Sequence, residues 1–232
     1  MVRVRSQDDL PANLPNNPAT LEAIDQFRQM MLNYRSAIRV LQTKIEYLDQ
    51  EYKIQNGHSL VDSLQTRIKS PESIVEKVQR KHLDFNLNTL PQEMHDIAGI
   101  RVIVRFEDDI TAVEHRLAKQ PDVRILKRKD YVAHPKPNGY RSLHLILAVP
   151  VYLAAGKKEV IVEVQIRTIA MNFWASLEHE LNYKKQISHQ AELRQELLRK
   201  ADMVHQLDHD MNAIKNQIRA ESNRNVNDSE TD

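Results

Sequence analysis

Cysteine is absent from the chain, which excludes disulfide bridges, thiolate metal sites and thiol catalysis together. Glycine occurs only 4 times in 232 residues, so each occurrence carries positional meaning. An excess of one charge is also lacking. Lysine and arginine total 33 against 32 aspartate and glutamate, a formal net charge of +1. No global field draws a polyanionic partner, and nothing in the charge balance indicates RNA. Any nucleotide site must come from local clustering. No apolar run approaches membrane-spanning length, and the opening MVRVRSQDDLPANLPNNP lacks the apolar core of a secretion signal. No membrane partner is expected, and a cytoplasmic location follows by default. The rest of the composition is that of an ordinary globular protein, 41% hydrophobic and 28% charged, long enough to bury a core.

Residues 1–18 are polar and proline-rich and are expected to be flexible. Ile24, Phe27, Met31, Tyr34, Ile38, Leu41, Ile45, Leu48 and Tyr52 then recur in alternating steps of three and four, which predicts a long amphipathic helix. Asn56-Gly57 would close it with a left-handed cap. Leu193, Leu197, Ala201, Val204, Leu207, Met211, Ile214 and Ile218 repeat the pattern near the other end. After Arg219 the chain turns polar and is expected to fray. The two stripes suit helix–helix contact within or between subunits, and equally a simple covering of the core. Between them, strands are predicted at 67–69, 100–105, 123–129, 141–149 and 159–167, with helices at 71–82, 108–119 and 169–185. Pro71 suits a first helical turn capped by Ser70, and Gly156 in AAGKKE suits a hairpin turn. The order of elements predicts an α+β fold, a mixed sheet of about five strands with helices packed on it and long helices at both ends. The expected division is a flexible 1–18, a domain over 19–186, a C-terminal helix over 187–220 and a tail over 221–232.

Polar chemistry gathers on strand faces. Side chains alternate along a strand. In EVIVEVQIR, therefore, Val160, Val162, Val164 and Ile166 point one way, and Ile161, Glu163, Gln165 and Arg167 the other. A carboxylate, an amide and a guanidinium in register are costly on a buried strand unless they bind something; on a solvent-facing strand they would be unremarkable. In NGYRSLHLILAV, Leu143, Leu145, Leu147 and Val149 form one face, against Tyr140, Ser142 and His144. Tyr140 offers a stacking surface and His144 a proton donor or phosphate ligand. PKPNG before them is a rigid turn with Lys136 at its tip.

Asp96 stands at the entrance of the strand in HDIAGIRVIVRF, where Arg101 and Arg105 share a face. Paired in space with Glu163, Asp96 would suit a magnesium ion, which takes few carboxylates and leaves positions for substrate phosphates. A plain surface Asp–Arg pair is the alternative, and it would contribute little. In TRIKSPESIVEKVQRK, Arg67 and Lys69 share a strand face. Ser73, Lys77 and Arg80 then fall on one helix face opposite Ile74 and Val78. One cationic face near a helix start is a natural phosphate cradle, or else a solvated face. A polyphosphate site accounts for all four clusters at once.

RIKSPESIVEKVQRK, HDIAGIRVIV, KDYVAHPKPNGYRSLH and VEVQIRTIAMNFWASLEHELNYK together resemble the synthetase domain of the RelA/SpoT family, in the family's order, over about half the chain. With no hydrolase or regulatory domain beside it, the chain is similar to the small alarmone synthetases, in wording closer to the RelP than the RelQ type. The resemblance implies a nucleotidyltransferase-like fold. It implies transfer of the β,γ-pyrophosphate of ATP to the 3′-hydroxyl of GTP or GDP. It also implies roles. Arg67 and Arg101 would clamp adenine, and Lys69, Ser73, Lys77 and Arg80 would hold the ATP phosphates. Asp96 and Glu163 would bind magnesium, with Glu163 as the base. Tyr140 would stack on guanine with Asn172 nearby, Lys136 and His144 would contact acceptor phosphates, and Gln165 would orient the acceptor. Lys129 stands where the family often has arginine; it keeps the charge and loses the bidentate fork. Glu178 is a further candidate. Family members of this short type form homotetramers through terminal helices, which the two stripes would suit.

Three other readings compete. A non-catalytic nucleotide- or RNA-binding module of the same fold would be expected to lose a carboxylate or the stacking tyrosine, yet Asp96, Glu163 and Tyr140 are present. A different nucleotidyltransferase would place two acids close together after a Gly-Ser turn, and no such pair occurs. A hydrolase would need a His-Asp metal domain.

Overall fold

The computed structural model describes residues 18–84, 86–87, 89–183 and 190–229. Most of the expected flexible N-terminus, the 184–189 connection and the last three positions of the expected tail lie outside the described residues.

The N-terminal stripe forms helix α1 (Pro18–Asn56). Its Tyr34, Ala37, Ile38, Leu41 and Ile45 are buried. Gly57 follows at φ 74°, and its N–H donates to the Lys53 carbonyl at 2.8 Å, the left-handed cap expected of Asn-Gly. Strand β1 (Val61–Ile68) comes next. It begins earlier than the predicted 67–69, because VDSLQTRI is an edge strand without clean apolar alternation.

Helix α2 (Pro71–Arg80) starts as read: Ser70 Oγ accepts from the Ser73 N–H, and Ile74 and Val78 face the core. The single turn α3 (Leu90–Glu93), unforeseen, leads into β2 (Ala98–Val104). Helix α4 (Glu107–Ala118), β3 (Arg124–Asp130), β4 (Leu143–Leu153), β5 (Gly156–Thr168) and α5 (Ile169–Tyr183) follow close to their predicted places. Gly156 turns the β4–β5 hairpin at φ 105°.

The strands form one mixed sheet in the order β1-β2-β5-β4-β3. β2 and β5 are parallel, and the other neighbours are antiparallel. The inward set predicted for β4 and β5 is buried, and with Ile100, Val102 and Val104 it meets α1 and α4 in one core. The opposite face, rich in polar side chains, is left to the site.

Helix α6 (Gln190–Ser229) continues past Arg219, where the polar sequence suggested fraying. Its packing departs from the expectation. Ala201 is buried, but Leu207, Met211, Ile214 and Ile218 of the predicted stripe are exposed, while Asp208, Asn212 and Lys215 are buried. Polar partners explain the inversion. Asp208 pairs with Thr168 Oγ1 at 2.5 Å, and Lys215 donates to Asp108 at 3.1 Å. No described helix is long and apolar enough to cross a membrane.

Candidate active site

Residues facing each other across paired strands point to the same side of a sheet, so the register fixes what meets on the polar face. One row crosses all five strands: Gln65, Arg101, Gln165, His144 and Lys129. The next row runs Arg67, Gly99, Glu163 and Ile146. Gly99 leaves a gap in that row. A Cβ there would make only ordinary contact with the backbone, 3.5 Å from the Glu163 carbonyl. The missing side chain instead keeps open the space between Arg67 and Glu163. The resulting cleft, ≈ 450 Å³, is lined by Arg67, Lys69, Asp96, Arg101, Glu163 and Gln165 among others.

On one side of the cleft the side chains are cationic. Asp96 Oδ2 pairs with Lys69 Nζ at 3.4 Å and with Lys77 Nζ more closely. Burial pushes Asp96 up, but hydrogen bonding and charge from Lys77 and Lys69 outweigh it and hold the carboxyl below its usual range. Burial and the like charges of Arg167 and Arg67 pull Arg101 down, with Tyr140 opposing. Arginine keeps its charge regardless. The two guanidiniums of Arg67 and Arg101 lining one cleft favour an anion or an aromatic ring between them.

On the other side Glu163 is held by both carboxylate oxygens: His144 Nδ1 lies 3.1 Å from Oε1, and Gln165 Nε2 donates to Oε2 at 3.0 Å. Burial raises Glu163 and the Asp96 carboxylate adds to the rise, but the His144 ring and the Gln165 amide outweigh them; the net direction is down. Glu163 is therefore an ionised carboxylate at neutral pH. Tyr140 Oη lies 2.8 Å from His144 Nε2. The Tyr131 ring meets the His144 ring edge-on at 5.1 Å. Lys136 Nζ stands over both tyrosine rings, 4.9 Å from Tyr131 and 4.7 Å from Tyr140.

The residues expected to act together are thus largely brought together. Arg67, Lys69, Lys77, Asp96, Arg101, Glu163 and Gln165 surround one cleft, and Tyr140, His144 and Lys136 stand beside it. Asn172, near the start of α5, has a buried Oδ1 with no hydrogen-bond partner among the described residues. Lys129 is exposed but aligned with His144. Ser73 is committed to Ser70 at the helix start, and Arg80 is exposed away from the cleft lining. Glu178 accepts from Asn138 Nδ2 at 3.0 Å and so braces the PKPNG turn. Two residues escaped assignment. Arg167 is 5% exposed and donates to Tyr140 Oη at 2.6 Å; its place on the Glu163 face was the available signal. Tyr131 had none, since its ring contacts arise from folding.

The residues present fit a divalent cation. Asp96 Oδ1 is buried without a hydrogen-bond partner, and the Glu163 carboxylate lines the same cleft. Two carboxylates would leave the remaining positions of such an ion to substrate oxygens.

Comparison with known proteins gives a consistent result. The family profile described as "Region found in RelA / SpoT proteins" matches residues 66–188. GTP pyrophosphokinase YwaC of Bacillus subtilis is 43% identical over 195 residues, 84% of this chain and 93% of that protein. GTP pyrophosphokinase YjbM of the same organism is 36% identical over 193 residues, covering 83% and 90%. The crystal structure of small alarmone synthetase 1 from Bacillus subtilis bound to its product pppGpp superposes with a TM-score of 0.74 at 35% identity, over 83% of this chain and 98% of that one.

Proposed function

The chain belongs to the RelA/SpoT family, and from that premise we propose that it transfers the β,γ-pyrophosphate of ATP to the 3′-hydroxyl of GTP or GDP. The observation that carries this reading is the pairing of an ionised Glu163 with Asp96 across a cleft walled by Arg67, Lys69 and Arg101.

ATP lies on the β1–α2–β2 side. Arg67 and Arg101 take the adenine between guanidiniums, and Lys69 and Lys77 draw the phosphates. The acceptor lies on the β4–α5 side. Tyr140 stacks on guanine, Asn172 and Gln165 orient the nucleoside, and Lys136 and Lys129 face its phosphates; His144, whose ring nitrogens are taken by Tyr140 and Glu163, supports the Glu163 carboxylate instead. Glu163 Oε accepts the proton of the 3′-hydroxyl. The 3′-oxygen then bonds to the β-phosphorus, the bond from that phosphorus to the α–β bridging oxygen breaks, and AMP leaves with that oxygen. Alignment and fixed positive charge supply the catalysis, as expected of phosphoryl chemistry. A magnesium ion held by Asp96 and Glu163 would add positive charge where the phosphates crowd.

The exposed apolar face of α6 supports assembly into a homotetramer through the terminal helices. The cytoplasm, where ATP and GTP are abundant, is the proposed location.

The test is incubation with ATP, GTP and magnesium, with products resolved by anion exchange. A guanosine species more anionic than GTP should appear with equimolar AMP. Glu163→Gln should lower turnover by about 100-fold or more. Tight nucleotide binding without turnover in the parent would instead establish a binding module.

A further inference from the structure

Arg167 takes no part in the roles above, yet it is buried at 5% exposure beside the site. Its Nη2 donates to Tyr140 Oη at 2.6 Å and to Gln165 Oε1 at 2.8 Å, and its guanidinium carbon stands 4.9 Å from the centre of the Tyr140 ring. Two hydrogen-bonded arms leave this one nitrogen. The first passes from Tyr140 Oη to His144 Nε2 at 2.8 Å, and from His144 Nδ1 to Glu163 Oε1 at 3.1 Å. The second passes through the Gln165 amide, whose Nε2 donates to Glu163 Oε2 at 3.0 Å. The arms meet on the two oxygens of one carboxylate.

The ends of this ring dictate its direction. A guanidinium can only donate, and an ionised carboxylate can only accept. His144 Nδ1 must bring a hydrogen to the Glu163 carboxylate, and the Tyr140 hydroxyl, whose oxygen accepts from Arg167, is then satisfied by donating to His144 Nε2. Likewise the Gln165 oxygen must face Arg167, which turns its NH2 toward Glu163. The histidine tautomer and the amide orientation that the Glu163 carboxylate requires are the same ones that Arg167 requires from the far end. The geometry points to Arg167 as a positioning residue for the reaction, one that aims the Glu163 carboxylate by holding in place the Tyr140–His144 and Gln165 arms that end on its two oxygens. Tyr140 thereby has two separable parts, a ring that faces the acceptor base and a hydroxyl that joins Arg167 to His144. The catalytic half of this inference rests on the proposed pyrophosphate transfer.

Tyr140→Phe keeps the ring and cuts one arm; Arg167→Met cuts both. Two readouts apply, at one pH. Long-range ¹H–¹⁵N spectra of the nucleotide-free protein, with His144 signals assigned by their loss in His144→Gln, report the ring nitrogens. Steady-state kinetics report kcat and KM for GTP. The two ring nitrogens should give distinct signals in the parent, and both variants should shift the Nε2 signal, Arg167→Met without touching any atom bonded to the ring. Tyr140→Phe should lower kcat by about tenfold or more while GTP KM changes by less than about threefold. Arg167→Lys, which keeps a cationic donor, should recover part of the loss. An unchanged His144 Nε2 signal in Arg167→Met, an unchanged kcat in Tyr140→Phe, or a loss confined to KM would each overturn the inference. Should Arg167→Met fail to fold, Tyr140→Phe still decides it. The two readings fail separately: a parent that makes no pyrophosphorylated guanosine sinks the proposed function, whereas the His144 spectra test the hydrogen-bonded ring without any turnover.

Discussion

Asp208 is a carboxyl whose position in the fold works against its own ionisation. Burial, with the Glu107 carboxylate nearby, raises it from 3.8 to about 6 despite its bond to Thr168 Oγ1. A carboxyl raised on folding contributes stability that is complete below the unfolded value and lost as pH climbs through the folded one. The window here runs from about pH 4 to about pH 6. Asp208→Asn keeps a polar partner for Thr168 and removes the titration. The difference in melting stability between variant and parent should therefore move in the variant's favour by about 1–3 kcal/mol between pH 4 and pH 7. Thermal melts of both proteins across that range check it, and a constant difference would contradict the assignment. Thr168 also accepts from the Met171 N–H at 3.0 Å, so this pair ties the start of α5 to α6.

At the scale of elements, the turn before β4 depends on α6. Gly139 has φ 87°, and a Cβ placed on it would lie 2.5 Å from Ala201 Cβ. Gly139→Ala therefore strains the backbone and pushes two main-chain-anchored atoms together. The expected cost is roughly 2–4 kcal/mol, read as a melting temperature lower by about 5–10 °C. Regular alternation and helical periodicity made most elements legible in the sequence: β5 alternates cleanly from Val160 to Ile166, and Ser70-Pro71 announces α2. β1 was half hidden because an exposed edge strand need not alternate. The outward turn of α6 was illegible for a different reason. Leu207 and Ile214 look like core residues until Asp208 and Lys215 find partners on other elements, and such partners are fixed only by the tertiary fold. The same holds for the site. Glu163 and Gln165 could be placed on one face by counting, but Tyr131 against His144 could not, since those residues lie on different strands or loops.

The whole molecule shows an amphipathic α6 whose apolar side faces outward: Met203 is 62% exposed, Leu207 61% and Ile218 59%. Burying such a face in an assembly would recover stabilisation that the single chain forgoes. Leu207→Glu combined with Ile214→Glu should convert the proposed tetramer of 27.0 kDa chains into smaller species with unchanged helix content. Light scattering and circular dichroism on the same samples decide this; a parent already monomeric at micromolar concentration would refute the assembly. The sheet has a consequence of its own. Its parallel step falls between β2 and β5: the groups proposed for the donor nucleotide lie on β1, α2 and β2, and those for the acceptor lie on β5 and beyond it. Glu163 is the hinge of that division. Recognition of the two substrates is then modular: the stretch from Val61 to Val104 could be rewritten for a different donor while the acceptor's half is inherited intact.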